Sequence, residues 1–306
     1  MDMGTIINQM AVLFLILAVG YFAARIGILN EDANKAVTRL VTNIVMPCLI
    51  FDSMLGSGLE ISGKDAFTFL FLAAASFVII LGVAFAAPFI LRVPKKDAGV
   101  YRFLVAFSNV GFVGYPVSQA VFGEKSLFYV ALYCIIFNLW CFSLGVAFLS
   151  GGGGKIDFKR VLFNPILIVT GVSFVLFLLH VKLPTPILDT FDTIGQIAVP
   201  AGMLLVGSAL GQIPVKSVFT EWRLYPASLL RLIVTPVLTW LLFSLFVEDK
   251  MVLGILTVMS SLPVATLCTL LSIQYGADDV LASKSVFIST VLSMVTIPCL
   301  IYVLLI

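Results

Sequence analysis

Ten long apolar runs, almost free of charge, constrain this 306-residue chain more than any other feature. They lie near 5–24, 36–55, 66–91, 101–121, 126–149, 161–181, 187–210, 224–247, 251–275 and 280–305. A helix needs about 20 apolar residues to cross the hydrocarbon of a bilayer. Closed barrels cross with short alternating strands, so continuous runs of this length predict helices. Charged residues make up only 11% of the chain and hydrophobic ones 61%, where a soluble domain carries about 25% charged residues. That balance excludes a soluble globular domain, a disordered chain and a nucleic-acid binder with a basic face. The expectation is an all-α membrane protein of ten transmembrane helices, with the lipid bilayer as its surroundings and no nucleic-acid partner.

The N-terminal MDMGTIINQM has no basic stretch before its apolar run, which predicts a retained first helix rather than a cleaved signal. Cys48, Cys134, Cys141, Cys268 and Cys299 all fall inside apolar runs with no CxxC spacing. They are expected to be small core residues, with no metal and no cofactor.

Positive charge is unevenly placed. Loops after the odd-numbered runs hold Arg25, Lys35, Arg39, Arg92, Lys95, Lys96, Arg102, Lys155, Lys159, Arg160, Lys216, Arg223 and Lys284, against Lys64, Lys125, Lys182 and Lys250 on the other side. The positive-inside bias puts the odd loops in the cytoplasm and both termini outside the plasma (inner) membrane.

The halves have a common plan. Asn43-Ile44-Val45-Met46-Pro47 in the second run matches Gln196-Ile197-Ala198-Val199-Pro200 in the seventh, and Pro116 in the fourth pairs with Pro263 in the ninth. Each half holds five runs, an odd number, so the second would enter the membrane from the opposite side. The expected domains are a first five-helix repeat, 1–150, and an inverted second one, 151–306, joined by the glycines 151–154. Inverted repeats are the plan of many secondary transporters, with the substrate site where broken helices meet near the midplane.

Two stretches are candidates for those breaks. One is Ala106-Phe107-Ser108-Asn109-Val110-Gly111-Phe112-Val113-Gly114-Tyr115-Pro116; the other is Met259-Ser260-Ser261-Leu262-Pro263-Val264-Ala265-Thr266. Pro116 lacks an N–H and crowds the carbonyl at position 112, and Gly111 and Gly114 leave helical dihedrals cheaply. Backbone exposed at this depth must line a cavity or be covered by protein. If the breaks cross, two helix N-termini converge, each with about +0.5 charge, and favour an anion.

At these residues the chain resembles the auxin efflux carrier family, which takes in plant PIN-type carriers and bacterial malate-permease-type proteins. The resemblance runs along the whole chain. It rests on Gly27-Ile28-Leu29 with Pro47-Cys48-Leu49-Ile50-Phe51, Ser108-Asn109 through Gly114-Tyr115-Pro116, Asn164-Pro165, Arg231 with Pro236, and Leu262-Pro263 through Tyr275-Gly276-Ala277-Asp278. It implies the ten-helix fold of bile-acid symporters, with crossed, Pro-broken helices four and nine. Helices 1, 2, 6 and 7 would form a dimerising scaffold, and helices 3–5 and 8–10 an elevator-like transport domain. It further implies a small organic anion as substrate, held through Asn109 and the backbone about Pro116 and Pro263, with Met46 and Ile50 on the scaffold side. Ser108, Gly111, Gly114, Tyr115, Asn138, Ser260, Ser261 and Val264 complete the expected substrate-binding set.

Other polar residues carry weaker expectations. Arg231 lies about 24 Å of helix from Val247, so its guanidinium is expected to snorkel to the cytoplasmic interface. Asn138 is placed either at the crossover or between helices, and Gln196 near the scaffold side of the pocket. His180 is read as interfacial, Asp52 as open to solvent, and Asp278 as a cap of the tenth helix. The run 66–91 has no ionisable side chain, which argues against proton coupling through a buried acid there. The sequence holds neither an HExxH motif nor a second histidine, so an enzyme is not expected. The reading is a secondary transporter of carboxylates or auxin-like acids; the alternatives are a sodium-coupled organic-anion symporter or a membrane sensor.

Overall fold

The computed structural model describes residues 3–56, 61–151, 165–181, 183–213, 218 and 221–305. Gly152–Gly154, Asn164 and the basic residues Lys155, Lys159, Arg160, Lys182 and Lys216 lie outside them. The described residues are helical apart from turns and short non-helical links. Seven helices are long and apolar enough to cross a membrane: Ile6–Arg25, Glu31–Leu55, Gly63–Ile90, Lys125–Leu149, Thr185–Gln212, Leu224–Phe243 and Asp279–Leu305. Three more apolar helices, Val110–Phe122, Pro165–Leu178 and Lys250–Ser261, are shorter.

In chain order the elements are α1 (Met3–Arg25), α2 (Glu31–Leu40), α3 (Met46–Leu55), α4 (Gly63–Ile90), α5 (Ala98–Ala106), α6 (Tyr115–Phe122), α7 (Lys125–Trp140) and α8 (Val146–Leu149). There follow α9 (Pro165–Leu178), α10 (Thr185–Gly195), α11 (Ala198–Gln212), α12 (Leu224–Leu229), α13 (Thr235–Phe243), α14 (Lys250–Ser261), α15 (Leu267–Tyr275) and α16 (Asp279–Leu305). Several starts are legible in local chemistry. Asn30 caps α2 by accepting the Ala33 N–H at 2.9 Å, with Glu31 and Asp32 in the first turn, where the helix dipole favours negative charge. Asp249 caps α14 through the N–H groups of Met251 and Val252. Asp278 accepts the Leu281 N–H at 2.8 Å and caps α16, as the sequence suggested.

Prolines bend the chain less abruptly than expected. Three five-residue π-helical turns, Val41–Val45, Val110–Gly114 and Leu230–Val234, end two residues before Pro47, Pro116 and Pro236. A wider turn accommodates the missing donor and ring bulk without ending the helix. Pro88 and Pro298 sit inside α4 and α16, which continue through them. Pro116 therefore does not make the fourth-run break. The chain leaves the helix at 107–109, ahead of the π turn. Pro263, by contrast, lies within the extended link 262–265, so the two prolines are not structural counterparts.

Helix α1 packs along α11 at glycine contacts. A Cβ at Gly207 would fall on the Leu17 carbonyl oxygen, one at Gly20 on the Leu204 carbonyl oxygen, and one at Gly211 would lie 2.8 Å from the Tyr21 carbonyl oxygen. Glycine is the only residue that lets these backbones approach so closely. Elsewhere the core is aromatic, with Phe103 and Phe107 at 4.8 Å and Phe77 and Tyr133 at 5.5 Å between ring centroids. Cys48, Cys134, Cys141 and Cys268 are buried as expected, whereas Cys299 is exposed on the outer surface of α16.

Candidate functional site

The two extended links cross and pair with each other. Ser108 and Val264 form an isolated antiparallel bridge. Asn109 donates its N–H to the Pro263 carbonyl at 2.8 Å, and Ala265 donates to the Phe107 carbonyl at 3.0 Å. Side chains complete the crossing: Ser108 Oγ donates to the Met259 carbonyl at 3.2 Å, and Ser289 Oγ accepts the Val264 N–H at 3.1 Å. Backbone that left the helix at this depth is thus satisfied by the other half of the chain, as buried polar groups require.

Each link is followed by a new helix start. Asn109 caps the first: its Oδ1 accepts the Phe112 N–H at 3.3 Å, and its carbonyl accepts from Val113 and Gly114, both at 3.1 Å. Thr266 precedes α15 without a side-chain cap. The N–H groups of Gly111, Thr266 and Leu267 find no acceptor among the described residues. Asn109 is 5% exposed, and its Nδ2 is buried with no partner among them either.

These groups converge on a cavity of about 330 Å³. Asn109, Val110, Gly111 and Phe112 line it from one helix start, and Ala265, Thr266 and Leu267 from the other. Asn34, Thr38, Thr42 and Met46 face it in a stripe at four-residue intervals along α2 and into α3. Asn34 Oδ1 is buried there without a partner among the described residues. Phe137 and Phe142 supply apolar wall. Polar groups are few and convergent in an otherwise apolar cavity, the usual make-up of a small-molecule site.

Of the residues expected to bind substrate, Met46, Ser108, Asn109, Gly111, Tyr115 and Asn138 line this cavity. Asn138 donates Nδ2 to the Cys134 carbonyl at 2.7 Å, a bond within its own helix. Gly114, Pro116, Ser260, Ser261, Pro263, Val264 and Ile50 do not line it. Ser260 and Ser261 bond back to the carbonyls of Thr257 and Val258, each at 2.8 Å. Pro263 and Val264 serve the crossing itself, a Cβ at Gly114 would lie 3.1 Å from the Leu262 side chain, and Ile50 is wholly buried.

Arg231 does not snorkel. It is completely buried, and its guanidinium reaches the ends of both helices that precede the links. Nε donates to the Leu262 carbonyl at 3.1 Å and Nη2 to that of Met259 at 3.3 Å, while Nη1 donates to Val105 at 3.0 Å and Ala106 at 3.4 Å. Thr235, one turn on, donates to the Ser260 carbonyl at 3.0 Å. The π turn that contains Arg231 sets the side chain between α5 and α14. Distance from the helix end suggested an escape to the interface, but unsatisfied carbonyls at two broken helices are nearer partners.

A second cavity, about 260 Å³, lies at the opposite helix ends. Asp52, Glu124, Lys125, Asp192 and Gln196 line it, and Gln196 Nε2 donates to both Asp192 oxygens, at 2.9 and 3.1 Å. Leu49 faces this cavity and Met46 the first one, so along this helix only about 4.5 Å of rise separates them.

Comparison with known proteins follows the same lines. Residues 5–160 and 153–301 match the family described as membrane transport protein. An uncharacterized transporter of Methanocaldococcus jannaschii is 30% identical over 300 residues, 94% of each chain. A provisionally assigned malonate transporter of Rhizobium meliloti is 25% identical over 303 residues, covering 95% of this chain and 93% of its own. The uncharacterized transporter YfdV of Escherichia coli is 24% identical over 311 residues, 97% of each chain.

Proposed function

Because the chain belongs to the membrane transport protein family, which takes in the auxin efflux and PIN-like carriers, we propose that it is a secondary transporter for small organic anions such as carboxylates. The observation that carries this reading is the crossing of the two broken helices. Two helix N-termini, each with about +0.5 charge, border one cavity with N–H groups that have no acceptor among the described residues, beside the partnerless Nδ2 of Asn109. A carboxylate supplies the missing acceptors, and Met46, Phe137 and Phe142 offer apolar surface to the rest of the ligand. The malonate role assigned to the Rhizobium relative fits a site of this chemistry.

The transport cycle is read as alternating access. Asn34, Thr38 and Ala209, which line the first cavity, lie toward the positively charged loops, so this conformation faces inward in a plasma membrane with both termini outside. The second cavity is the outward vestibule, and the thin layer between Met46 and Leu49 is the barrier that must re-form on the other side of the substrate. Ten crossings in two inverted five-helix repeats, with the shorter helices among them, accommodate this reading. The interlocked α1 and α11 belong to a scaffold with α2, α3, α9 and α10 that also pairs two copies of the chain. The remaining helices carry the site in an elevator-like movement.

Isothermal titration of the purified protein against a panel of mono- and dicarboxylates, with and without Na⁺, tests the reading. Saturable carboxylate binding is expected, lost in Asn109→Ala. Absence of binding across the panel, or an unaffected Asn109→Ala variant, refutes it. Binding that requires Na⁺ identifies a sodium-coupled symporter.

A further inference from the structure

Four helix ends meet at the crossing, and their charges cancel. The N-termini of the helices starting at Val110 and Leu267 contribute about +0.5 each, and the C-termini of α5 and α14 about −0.5 each. The C-terminal pair adjoins the same crossing, so its negative ends oppose the N-termini that line the anion site. We propose that Arg231 is a positioning residue that gives the anion site its charge: by bonding the C-termini of both broken helices at once, its guanidinium leaves the N-termini unopposed. The inference rests on the organic-anion reading above.

The structure supports each step. The guanidinium contacts carbonyls of Val105 and Ala106 on one side and of Met259 and Leu262 on the other, so one side chain bridges both helix ends. It is fully buried, and its recorded hydrogen-bond partners are all neutral backbone carbonyls. Both salt bridges among the described residues, Lys35 with Glu31 and Arg223 with Glu221, lie elsewhere. A buried charge answered only by dipoles leaves a net positive centre. The cavity lies close to it, because Leu262 bonds the guanidinium at 3.1 Å and Ala265, which lines the cavity, is three residues on, a further span of at most about 10 Å of extended chain. At a separation of about 12 Å and an effective dielectric of about 20, one positive charge favours an anion by roughly tenfold in affinity per unit of ligand charge. A dianion should therefore depend on Arg231 more steeply than a monoanion of the same size. A purely structural role would weaken both alike.

The test compares malonate with its monomethyl ester at pH 8, by titration calorimetry on purified wild type, Arg231→Gln and Arg231→Lys. Wild type should prefer the dianion. Arg231→Gln, which keeps hydrogen bonds but not charge, should reduce that preference by roughly tenfold. Arg231→Lys, which keeps the charge but cannot span both helix ends, should restore the preference while melting at a lower temperature than wild type. An unchanged dianion-to-monoanion ratio in Arg231→Gln overturns this inference alone. Wild type that binds neither ligand overturns the organic-anion reading and this inference with it. If Arg231→Gln does not fold, Arg231→Met serves as the neutral variant and is read in the same way: a ratio reduced roughly tenfold supports the inference, and an unchanged ratio overturns it.

Discussion

Asn109 has two jobs in the structure, and they can be separated by substitution. Its Oδ1 caps the helix start at the Phe112 N–H, while its Nδ2 is buried beside the cavity with no partner among the described residues. Asn109→Ala removes both. Loss of the cap costs about 0.5–2 kcal/mol of stability. Loss of a hydrogen bond to a charged ligand costs about 1.5–3 kcal/mol, or roughly a 10- to 150-fold weaker carboxylate complex. Asn109→Asp keeps the capping oxygen and puts a negative charge at two helix N-termini, so the empty protein should be at least as stable as wild type. The same charge would lie against the bound carboxylate. At about 4 Å and an effective dielectric of about 20 the repulsion is about 4 kcal/mol, close to a thousandfold. The rank orders therefore differ: Asp at or above wild type and then Ala for melting temperature, but wild type, Ala, then Asp for affinity. Fluorescence-detected melting and titration calorimetry on the same preparations read both. Affinity that tracks stability through the series, or an Asp variant that binds as well as the Ala variant, would refute the assignment of the amide to the ligand.

Four further outcomes follow from the packing. Gly207→Ala puts a methyl group on the Leu17 carbonyl and should cost about 1–3 kcal/mol or more, whereas Gly82→Ala, with open space around it, should be neutral or stabilising by up to about 1 kcal/mol; paired melting curves check the contrast. Ser289→Ala removes the acceptor of the buried Val264 N–H and should cost about 1–3 kcal/mol in the same measurement. Pro116→Ala should leave carboxylate affinity unchanged, since the helix break lies at 107–109 and a π turn already absorbs the proline. Met46→Trp should fill the cavity and abolish binding without loss of thermal stability.

Much of this architecture can be read from residue order. Long apolar runs identify helices, and the polar, glycine-bearing stretch at 106–116 marks the neighbourhood of a break. Its position is harder to read, because proline draws attention to itself while the π turns at Val41–Val45, Val110–Gly114 and Leu230–Val234 let the helix continue past it. The chain breaks where another backbone is available to pair, and that partner is more than 150 residues away. Arg231 is hard to place from sequence for a related reason. Snorkelling considers only the distance to water, and nothing local shows that four carbonyls from two other helices need a donor. Asn34, Thr38 and Thr42 do not stand out, although their four-residue spacing is visible in the sequence, ending on Met46. That polar stripe belongs to a helix start rich in charge, where polarity alone attracts no notice.

The crossed links also impose an order on how the chain can be made. When residues 107–109 first reach the membrane, the carbonyl and N–H groups they will bond do not yet exist. Synthesis of the 158 residues from Ser108 through Ala265 takes roughly 8–30 s at about 5–20 residues per second. For that time an unwound segment must wait with open backbone groups, a state that hydrocarbon penalises heavily. The first half of the chain is therefore an obligatory intermediate that must be sheltered by water, by the insertion machinery or by a temporary helical state. Completion of the second half closes the bonds that end that exposure.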